Sequence, residues 1–272
     1  MLKSPATTKR HRRSTGSKQR RTRVAVKRLG AEGTMRPKAS MNRTMRTHHK
    51  QPCCCEAYDC GECREITQQA FKGAVEEWST VFPNPALLTI VPQDGMVACD
   101  EIGSFDLELF TRRHRQKLKR YLPKDCLLVG GVDVALNAME NTVQGWFFHW
   151  HGILSRKLTS TESTPLKKAY PINREMGIYK PIHVKPIRGS DLGQTAAYVY
   201  KSYFLKRSQY MTKPKGDRNP YLDNKDIPLS VKEMAMLETY LERYRVADPI
   251  ILIGLKRLRT KCMTDMRFME TR

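Results

Sequence analysis

Residues 146–154 are the part of the sequence that most constrains the fold. They read WFFHWHGIL, an aromatic and aliphatic run that contains two histidines with one residue between them. A short run of this composition favours a β-strand. Because successive side chains on a strand point to opposite faces, His149 and His151 share one face and Trp150 lies on the other. Two imidazoles held on one strand supply half of a metal site.

The segment Tyr198-Val199-Tyr200-Lys201 carries a second set of reactive groups. At a spacing of three residues, Tyr198 and Lys201 are predicted to share one face of a helix. A tyrosine oxygen acts as a covalent nucleophile in some enzymes, and a lysine ammonium neutralises a phosphate as a point charge. The pattern indicates metal-assisted attack of Tyr198 on a phosphodiester, with Tyr200 and Tyr203 as alternative nucleophiles.

A third metal ligand is predicted from the pairing of two strand-like segments, residues 126–136 and 144–154. If these segments pair antiparallel about Asn141, Asp133 falls directly opposite His149 on the same face. A carboxylate holds a hard divalent ion well, and this makes Asp133 the preferred third ligand.

Two other residues remain open as the third ligand. Gln194 lies four residues before Tyr198 and Asp191 lies seven before it, so both share the predicted helix face of the tyrosine. Magnesium or manganese is the expected ion in the cell rather than zinc, although two imidazoles would bind softer metals more tightly.

Together these residues resemble the three motifs of the HUH endonuclease superfamily, and within it the rolling-circle replication initiator (Rep) proteins of plasmids and small single-stranded DNA replicons. The first motif, an apolar strand, matches residues 86–91. The second, His-hydrophobic-His, matches residues 149–151, and the third, Tyr-x-x-Lys, matches residues 198–201. The resemblance covers residues 85–207, which is less than half of the chain.

The resemblance implies an α+β fold in which helices flank an antiparallel central sheet. It also implies a metal-dependent tyrosine DNA endonuclease and strand transferase, which nicks one strand at an origin and stays attached through a 5′-phosphotyrosine link. In such an enzyme Tyr198 and Lys201 are the catalytic residues, and His149, His151 and Asp133 bind Mg²⁺ or Mn²⁺. The expected DNA partner is a single strand or an origin hairpin. Because the sequence has no Gly-x-x-x-x-Gly-Lys-Ser/Thr motif, a host helicase and replication machinery are expected as further partners.

Positive charge is abundant and unevenly distributed. The formal net charge is +22 at pH 7, and residues 1–50 contain sixteen lysines and arginines but one acid, Glu32. A segment with so few large apolar residues cannot offset the entropy of ordering its backbone, so we expect a disordered arm that attracts polyanions. A solubility tail and an organelle transit peptide are the alternatives. The expected division is a basic arm with a cysteine cluster at 1–63, a nicking domain at 64–210 and a C-terminal helical extension at 211–272.

Five of the eight cysteines lie close together in the sequence, just after two histidines: His48, His49, Cys53, Cys54, Cys55, Cys60 and Cys63. A structural zinc ion at Cys55, Cys60 and Cys63 is one interpretation, because thiolates and imidazoles are the usual zinc ligands. Reduced, unpaired thiols at the foot of a flexible arm are the other.

Localisation and two further functions complete the sequence-based expectations. No apolar run has the length that crosses a membrane and no signal-peptide core is present, so we expect a cytoplasmic protein associated with the bacterial nucleoid or a plasmid. The same chemistry would also serve a transposase or a mobilisation relaxase, which differ from replication initiators in DNA context. The remaining alternative is a non-catalytic basic nucleic-acid-binding protein organised around the cysteine cluster.

Apolar and turn patterns predict the other elements. Amphipathic helices are expected over 64–81 and 105–122. The second carries six basic side chains that form either a solvated face or, in the favoured interpretation, the wall of a DNA groove. A proline-interrupted strand over 178–187 is expected at a sheet edge. Ser230 and Glu233 predict a capping box that opens a helix to about residue 246.

Overall fold

The structure of the protein is a computed structural model that describes residues 55–82, 84–138, 144–212, 221–258 and 266–271. In these ranges the helices are α1 (Gly61–Ser79), α2 (Leu107–Tyr121), α3 (Ser160–Ala169), α4 (Leu192–Val199) and α5 (Val231–Leu241). The strands are β1 (Ala86–Ile90), β2 (Met96–Val97), β3 (Leu128–Asn137), β4 (Gly145–Leu154), β5 (Ile182–Pro186), β6 (Leu205–Thr212), β7 (Tyr221–Pro228), β8 (Ile250–Ile253), β9 (Leu255–Leu258) and β10 (Arg267–Glu270).

The main sheet has eight strands in the described part of the chain, and helices flank it, so the expected α+β class is confirmed. Its order is β5-β1-β4-β3-β6-β7, with β2 paired to β4 and β8 paired to β3. The expected antiparallel sheet is mixed instead, because β6 runs parallel to β3. A parallel pair needs a crossover connection, and α4 lies in the segment that returns the chain to β6.

The two central strands, β3 and β4, separate two different faces. On one face Trp146, Phe148 and Trp150 are buried in the larger apolar core, where Phe110 of α2 stacks on Trp150 with ring centroids 5.7 Å apart. On the other face Ile153 packs in a second core with residues of α1 and α4. The alternation predicted for 146–154 is therefore confirmed.

Helix α1 starts three residues earlier than predicted, and Arg64 near its start turns inward. The guanidinium of Arg64 donates to the carbonyls of Tyr58, at 2.7 Å, and Ser202, at 3.1 Å, and it is buried. Buried charges are usually hydrogen-bonded in this way, but a sequence pattern assigns an arginine to the outer face. The apolar face of α1 packs against α4.

Helix α2 lies on the face of the sheet that carries the larger core. Its N-cap Asp106 accepts a hydrogen bond from the Leu109 amide at 2.9 Å, and Phe110 packs on Trp150 of β4. His149 and His151 project from the opposite face of β4. The basic side chains of α2 therefore do not line the histidine face, and their role in a DNA groove stays a prediction.

The C-terminal region differs from the predicted helical extension. Ser230 and Glu233 form the predicted capping box, but α5 ends at Leu241 rather than near residue 246. Most of the other described residues after 220 are in strands, and β8 belongs to the main sheet through its pairing with β3. Ile250, Ile251 and Ile253 explain this placement, since β-branched side chains favour buried strands.

The folded region begins before the predicted boundary at residue 63. The Tyr58 amide donates to the Tyr244 carbonyl at 2.9 Å, and Cys60 and Cys63 are buried. Cys60 and Cys63 are thus part of the folded body rather than of an arm. Residues 1–54 of the arm predicted over 1–63 lie outside the described residues. In the described ranges, no helix combines the length and the apolar character that crossing a membrane requires.

Candidate metal centre

Asp133, His149 and His151 meet on one face of the sheet. Antiparallel pairing of β3 with β4 places Asp133 directly opposite His149, which is the register predicted about Asn141. One carboxylate oxygen of Asp133, Oδ2, lies 3.2 Å from Nε2 of His149 and 3.6 Å from Nε2 of His151. One ligand atom from each of the three side chains lies within 4.8 Å of the others. The three side chains thus form a compact group that is able to hold a metal ion.

A contact from the neighbouring strand orients the ring of His151, and a contact within β4 orients that of His149. Thr89 of β1 pairs with His151 across the sheet, and its Oγ1 lies 3.1 Å from Nδ1 of the histidine. Nδ1 of His149 lies 3.3 Å from the Phe147 carbonyl oxygen. Both rings therefore turn Nε2 towards Asp133, and contacts of this kind orient metal-ligating histidines in proteins.

The surroundings of the group keep His151 neutral and Asp133 ionised, which are the forms that bind a metal ion. Burial lowers the pKa of His151 to about 4, so the ring is neutral at physiological pH and can donate a lone pair. Burial raises the pKa of Asp133, but the positive charge of Lys201 and the contact with His149 outweigh burial and hold the pKa well below its usual range. Nε2 of His151 is buried and has no hydrogen-bond partner among the described residues. A buried polar atom left alone costs about 1–3 kcal/mol, and a bound cation would supply its missing partner.

Lys201 reaches the same carboxylate, but not from the predicted helix face. Helix α4 ends at Val199, and Tyr200 takes an extended backbone as its C-cap, so Lys201 lies beyond the helix. Its ammonium group donates to Oδ2 of Asp133 and lies 4.6 Å from the centre of the Tyr198 ring. Although burial lowers the pKa of Lys201, the charge of Asp133 outweighs it and raises the pKa above its usual value. The lysine is therefore charged beside both the carboxylate and the tyrosine.

Tyr198 is exposed at the edge of this group. Its side chain is 42% exposed and its ring centroid lies 4.4 Å from that of His151. Burial of part of the ring raises its pKa, and Lys201 partly counters the effect. Tyr200 faces the protein interior, where its hydroxyl donates to the Val246 carbonyl at 2.7 Å. Of these two tyrosines, Tyr198 alone is accessible beside the metal-binding group.

The alternative third ligands lie outside the group. Asp191 is the N-cap residue of α4, and its Oδ1 accepts a hydrogen bond from Ser190 at 3.1 Å. Gln194 is exposed on the same helix. The carboxylate that the structure brings to the two histidines is that of Asp133.

A cavity of about 190 Å³ opens beside His149 and was not found by sequence reasoning. Tyr179 and Lys180 line it from the loop before β5, and Arg207 lines it from β6. Gly177 permits the turn in that loop, because its φ of 70° lies in the region that side chains rarely adopt. The only sequence signal for this cavity was the pair Tyr179-Lys180 shortly after Gly177, and aromatic and basic pairs are common on protein surfaces.

A second group of potential ligands lies at the start of α1. The thiols of Cys55, Cys60 and Cys63 offer sulfur atoms within 4.8 Å of one another. Cys55 is exposed and the other two are buried. Contact with the Cys60 thiol and then burial raise the pKa of Cys63. Part of the predicted cysteine cluster thus forms a group that is able to hold a metal ion.

Comparison of the chain with protein-family models, with curated proteins and with solved structures finds no match. Asp133, His149 and His151 offer one oxygen and two nitrogen ligands for a divalent cation. An accessible phenol and a charged lysine lie directly beside them.

Proposed function

We propose that the protein is a metal-dependent DNA nicking and joining enzyme of the HUH type, and that it initiates rolling-circle replication. One observation carries the proposal. The exposed ring of Tyr198 lies against His151, which belongs to a largely buried group of one carboxylate and two imidazoles. A phenol in this position serves as a nucleophile beside a site that neutralises developing negative charge.

Asp133, His149 and His151 would hold Mg²⁺ or Mn²⁺. The unpartnered Nε2 of His151 and the ionised Asp133 fit such an ion. When bound, the ion would stabilise negative charge on a phosphate oxygen. Asp133 supplies an oxygen ligand that suits these hard cations, although two imidazoles bind softer metals more tightly. The all-sulfur group of Cys55, Cys60 and Cys63 suits zinc, which we propose for that second site.

The nucleophilic step conserves the number of phosphodiester bonds. The Tyr198 oxygen forms a bond to the phosphorus of the DNA backbone and loses its proton to solvent, and the bond from phosphorus to the 3′ oxygen breaks. The 3′ oxygen takes up a proton and leaves as a hydroxyl, while the 5′ end stays on the tyrosine. Because one phosphodiester replaces another, the strand can be rejoined without ATP. Lys201 lies close enough to Tyr198 to neutralise the phosphate that enters beside it.

Positive groups near the site support a single DNA strand as the substrate. Lys180 and Arg207 line the cavity beside His149, and the whole chain has a formal net charge of +22. Phosphate contacts of this kind supply affinity without sequence preference. Tyr179, also in the cavity wall, is 64% exposed and offers an aromatic surface on which a base can stack. Unwinding of the duplex is assigned to a partner helicase.

The test is incubation of the full chain with a labelled single-stranded oligonucleotide and Mn²⁺, followed by a denaturing gel. The label is placed at the 3′ end of the oligonucleotide. We expect a covalent adduct that carries the label, because the tyrosine holds the 5′ end of the labelled fragment. Tyr198→Phe should bind DNA and form no adduct, while Tyr200→Phe should still form it because that hydroxyl contacts Val246 in the interior.

The outcomes separate the alternatives. An adduct at Tyr200 or Tyr203 would contradict the assignment of the nucleophile. DNA binding without any adduct, over a library of sequences, would favour the non-catalytic binding protein. A transposase or relaxase would form the same adduct, and cleavage of an origin hairpin in preference to transposon-end or transfer-origin oligonucleotides would distinguish the initiator.

A further inference from the structure

The thiol group of Cys55, Cys60 and Cys63 has the dimensions of a zinc site. A tetrahedron with Zn–S bonds of about 2.3 Å has S–S edges of about 3.8 Å. The Sγ atoms of Cys55 and Cys63 are 3.4 Å apart, and the three sulfurs all lie within 4.8 Å of one another. Small movements of these side chains would bring each sulfur to bonding distance from one ion. Water or a further side chain would complete the four ligands that zinc takes.

The thiol group is placed at a structural junction. Cys60 is the N-cap residue of α1 and Cys63 lies in its first turn, so the group ties the chain before the helix to the helix itself. Tyr58, between Cys55 and Cys60, donates its amide to Tyr244 and accepts a hydrogen bond from Arg64. An ion held here would fix the start of α1 relative to the segment that follows α5.

Helix α1 in turn holds both ends of the segment that carries the proposed nucleophile. The Gln68 side chain donates to the Ala197 carbonyl at 2.7 Å and accepts from the Ser202 hydroxyl at 3.0 Å. Arg64 donates to the Ser202 carbonyl at 3.1 Å. Residues 197 and 202 bracket Tyr198 and Lys201. The position of α1 therefore controls the position of both reactive side chains.

We infer that Cys55, Cys60 and Cys63 bind a structural zinc ion that holds α1 in place and thereby positions Tyr198 and Lys201 over the Asp133 group. The positioning role depends on the proposed nicking function, but the zinc site does not. The ion acts through Arg64 and Gln68 and does not contact the DNA.

The first experiment measures zinc without any activity assay. The full chain is purified under reducing conditions and its metal content is determined by mass spectrometry. We expect about one zinc per chain, most of it lost in Cys60→Ser. Cys99→Ser is the matched control, because Cys99 is exposed and lies outside the group, and it should retain the ion. If Cys60→Ser does not fold, Cys55→Ser removes an exposed ligand and leaves no buried gap.

The second experiment separates positioning from general stability. In Cys55→Ser we expect the maximal rate of adduct formation to fall about tenfold or more, while the Mn²⁺ concentration for half-maximal rate is unchanged. Cys55→His, which restores a zinc ligand, should recover both zinc and rate. Hydrogen exchange should show faster opening of residues 192–202 in the serine variant and normal opening in β3 and β4.

Several results would overturn the inference. The site would be excluded if the purified chain contained negligible zinc. It would also be excluded if Cys55→Ser left the zinc content unchanged. A Cys55–Cys63 disulfide in freshly isolated protein, detected as a mass two hydrogens lower, would assign the close sulfurs to a redox pair. If the wild-type chain holds about one zinc but hydrogen exchange in residues 192–202 is unchanged in Cys55→Ser, the zinc site stands and its positioning role is excluded. If the wild-type chain forms no adduct, the zinc and exchange results still stand, so failure of nicking is distinguishable.

Discussion

Two buried histidines on opposite faces of the sheet are used in different ways. His114 on α2 is 1% exposed, and both of its ring nitrogens have partners: the Tyr170 hydroxyl lies 3.0 Å from Nδ1 and Asp94 Oδ1 lies 3.1 Å from Nε2. His151 on β4 is 2% exposed, but its Nε2 has no hydrogen-bond partner among the described residues, and Asp133 Oδ2 lies 3.6 Å from it. Thr89 satisfies the other nitrogen. His114 thus links elements of the fold, whereas His151 keeps a nitrogen that is able to bind a ligand, as the proposed metal site requires.

The largest expected effect is on activity at His151. In His151→Ala we expect metal-dependent adduct formation to fall by about 10²–10³-fold or more, because one ligand of the ion proposed to stabilise the phosphate charge is lost. DNA binding should persist, since phosphate attraction comes from lysines and arginines elsewhere. Denaturing gels measure the adduct yield, and fluorescence anisotropy measures DNA binding. Equal loss of activity in His114→Ala would contradict the division of roles.

A smaller effect is expected on the metal requirement at Asp133. Asp133→Asn keeps the size of the side chain but removes the negative charge that faces both histidines and Lys201. We expect the Mn²⁺ concentration for half-maximal nicking to rise about 10–100-fold. Gln194→Ala is the control and should leave the requirement unchanged, because Gln194 is exposed outside the group. A larger shift in the control would transfer the third-ligand role to α4.

The stability effect is expected at the other histidine. His114→Ala should lower the free energy of unfolding by about 2–4 kcal/mol, because it opens a cavity and leaves the buried Tyr170 hydroxyl without its partner. Adduct formation by the folded variant should match the wild type. Urea unfolding followed by tryptophan fluorescence gives the stability, and His151→Ala measured without metal should lose less. The comparison fails if the two variants lose equal stability.

The comparison of these histidines also shows what the sequence was able to predict. The place of His151 followed from strand alternation, and Asp133 followed from a symmetric hairpin register; both are local properties of two neighbouring segments. The partners of His114 come from segments 20 and 56 residues away, and no local pattern brings them together.

The errors have the same origin in long-range contacts. Lys201 was assigned to a helix face, but the chain leaves the helix at Tyr200, which is anchored to Val246. The parallel pairing of β6 and the insertion of β8 beside β3 likewise depend on segments far apart in the sequence. Spacing rules describe one element at a time, whereas these features depend on where two distant elements meet.

The last and smallest effect is a pH dependence of stability at His151. Burial lowers the pKa of this ring to about 4 in the folded state, against about 6.5 in the unfolded state. The unfolded chain therefore binds more protons between these values, and stability should fall as pH decreases from about 6.5 to about 4. We expect a loss of about 2 kcal/mol over that window in metal-free buffer with EDTA. The ionised Asp133, whose pKa is lowered, affects stability only at lower pH. His151→Gln, which is neutral throughout, should show a flatter profile than the wild type in urea unfolding at several pH values. An equally steep profile in both proteins would mean that the pKa of His151 is the same in the folded and the unfolded chain, so that burial does not lower it.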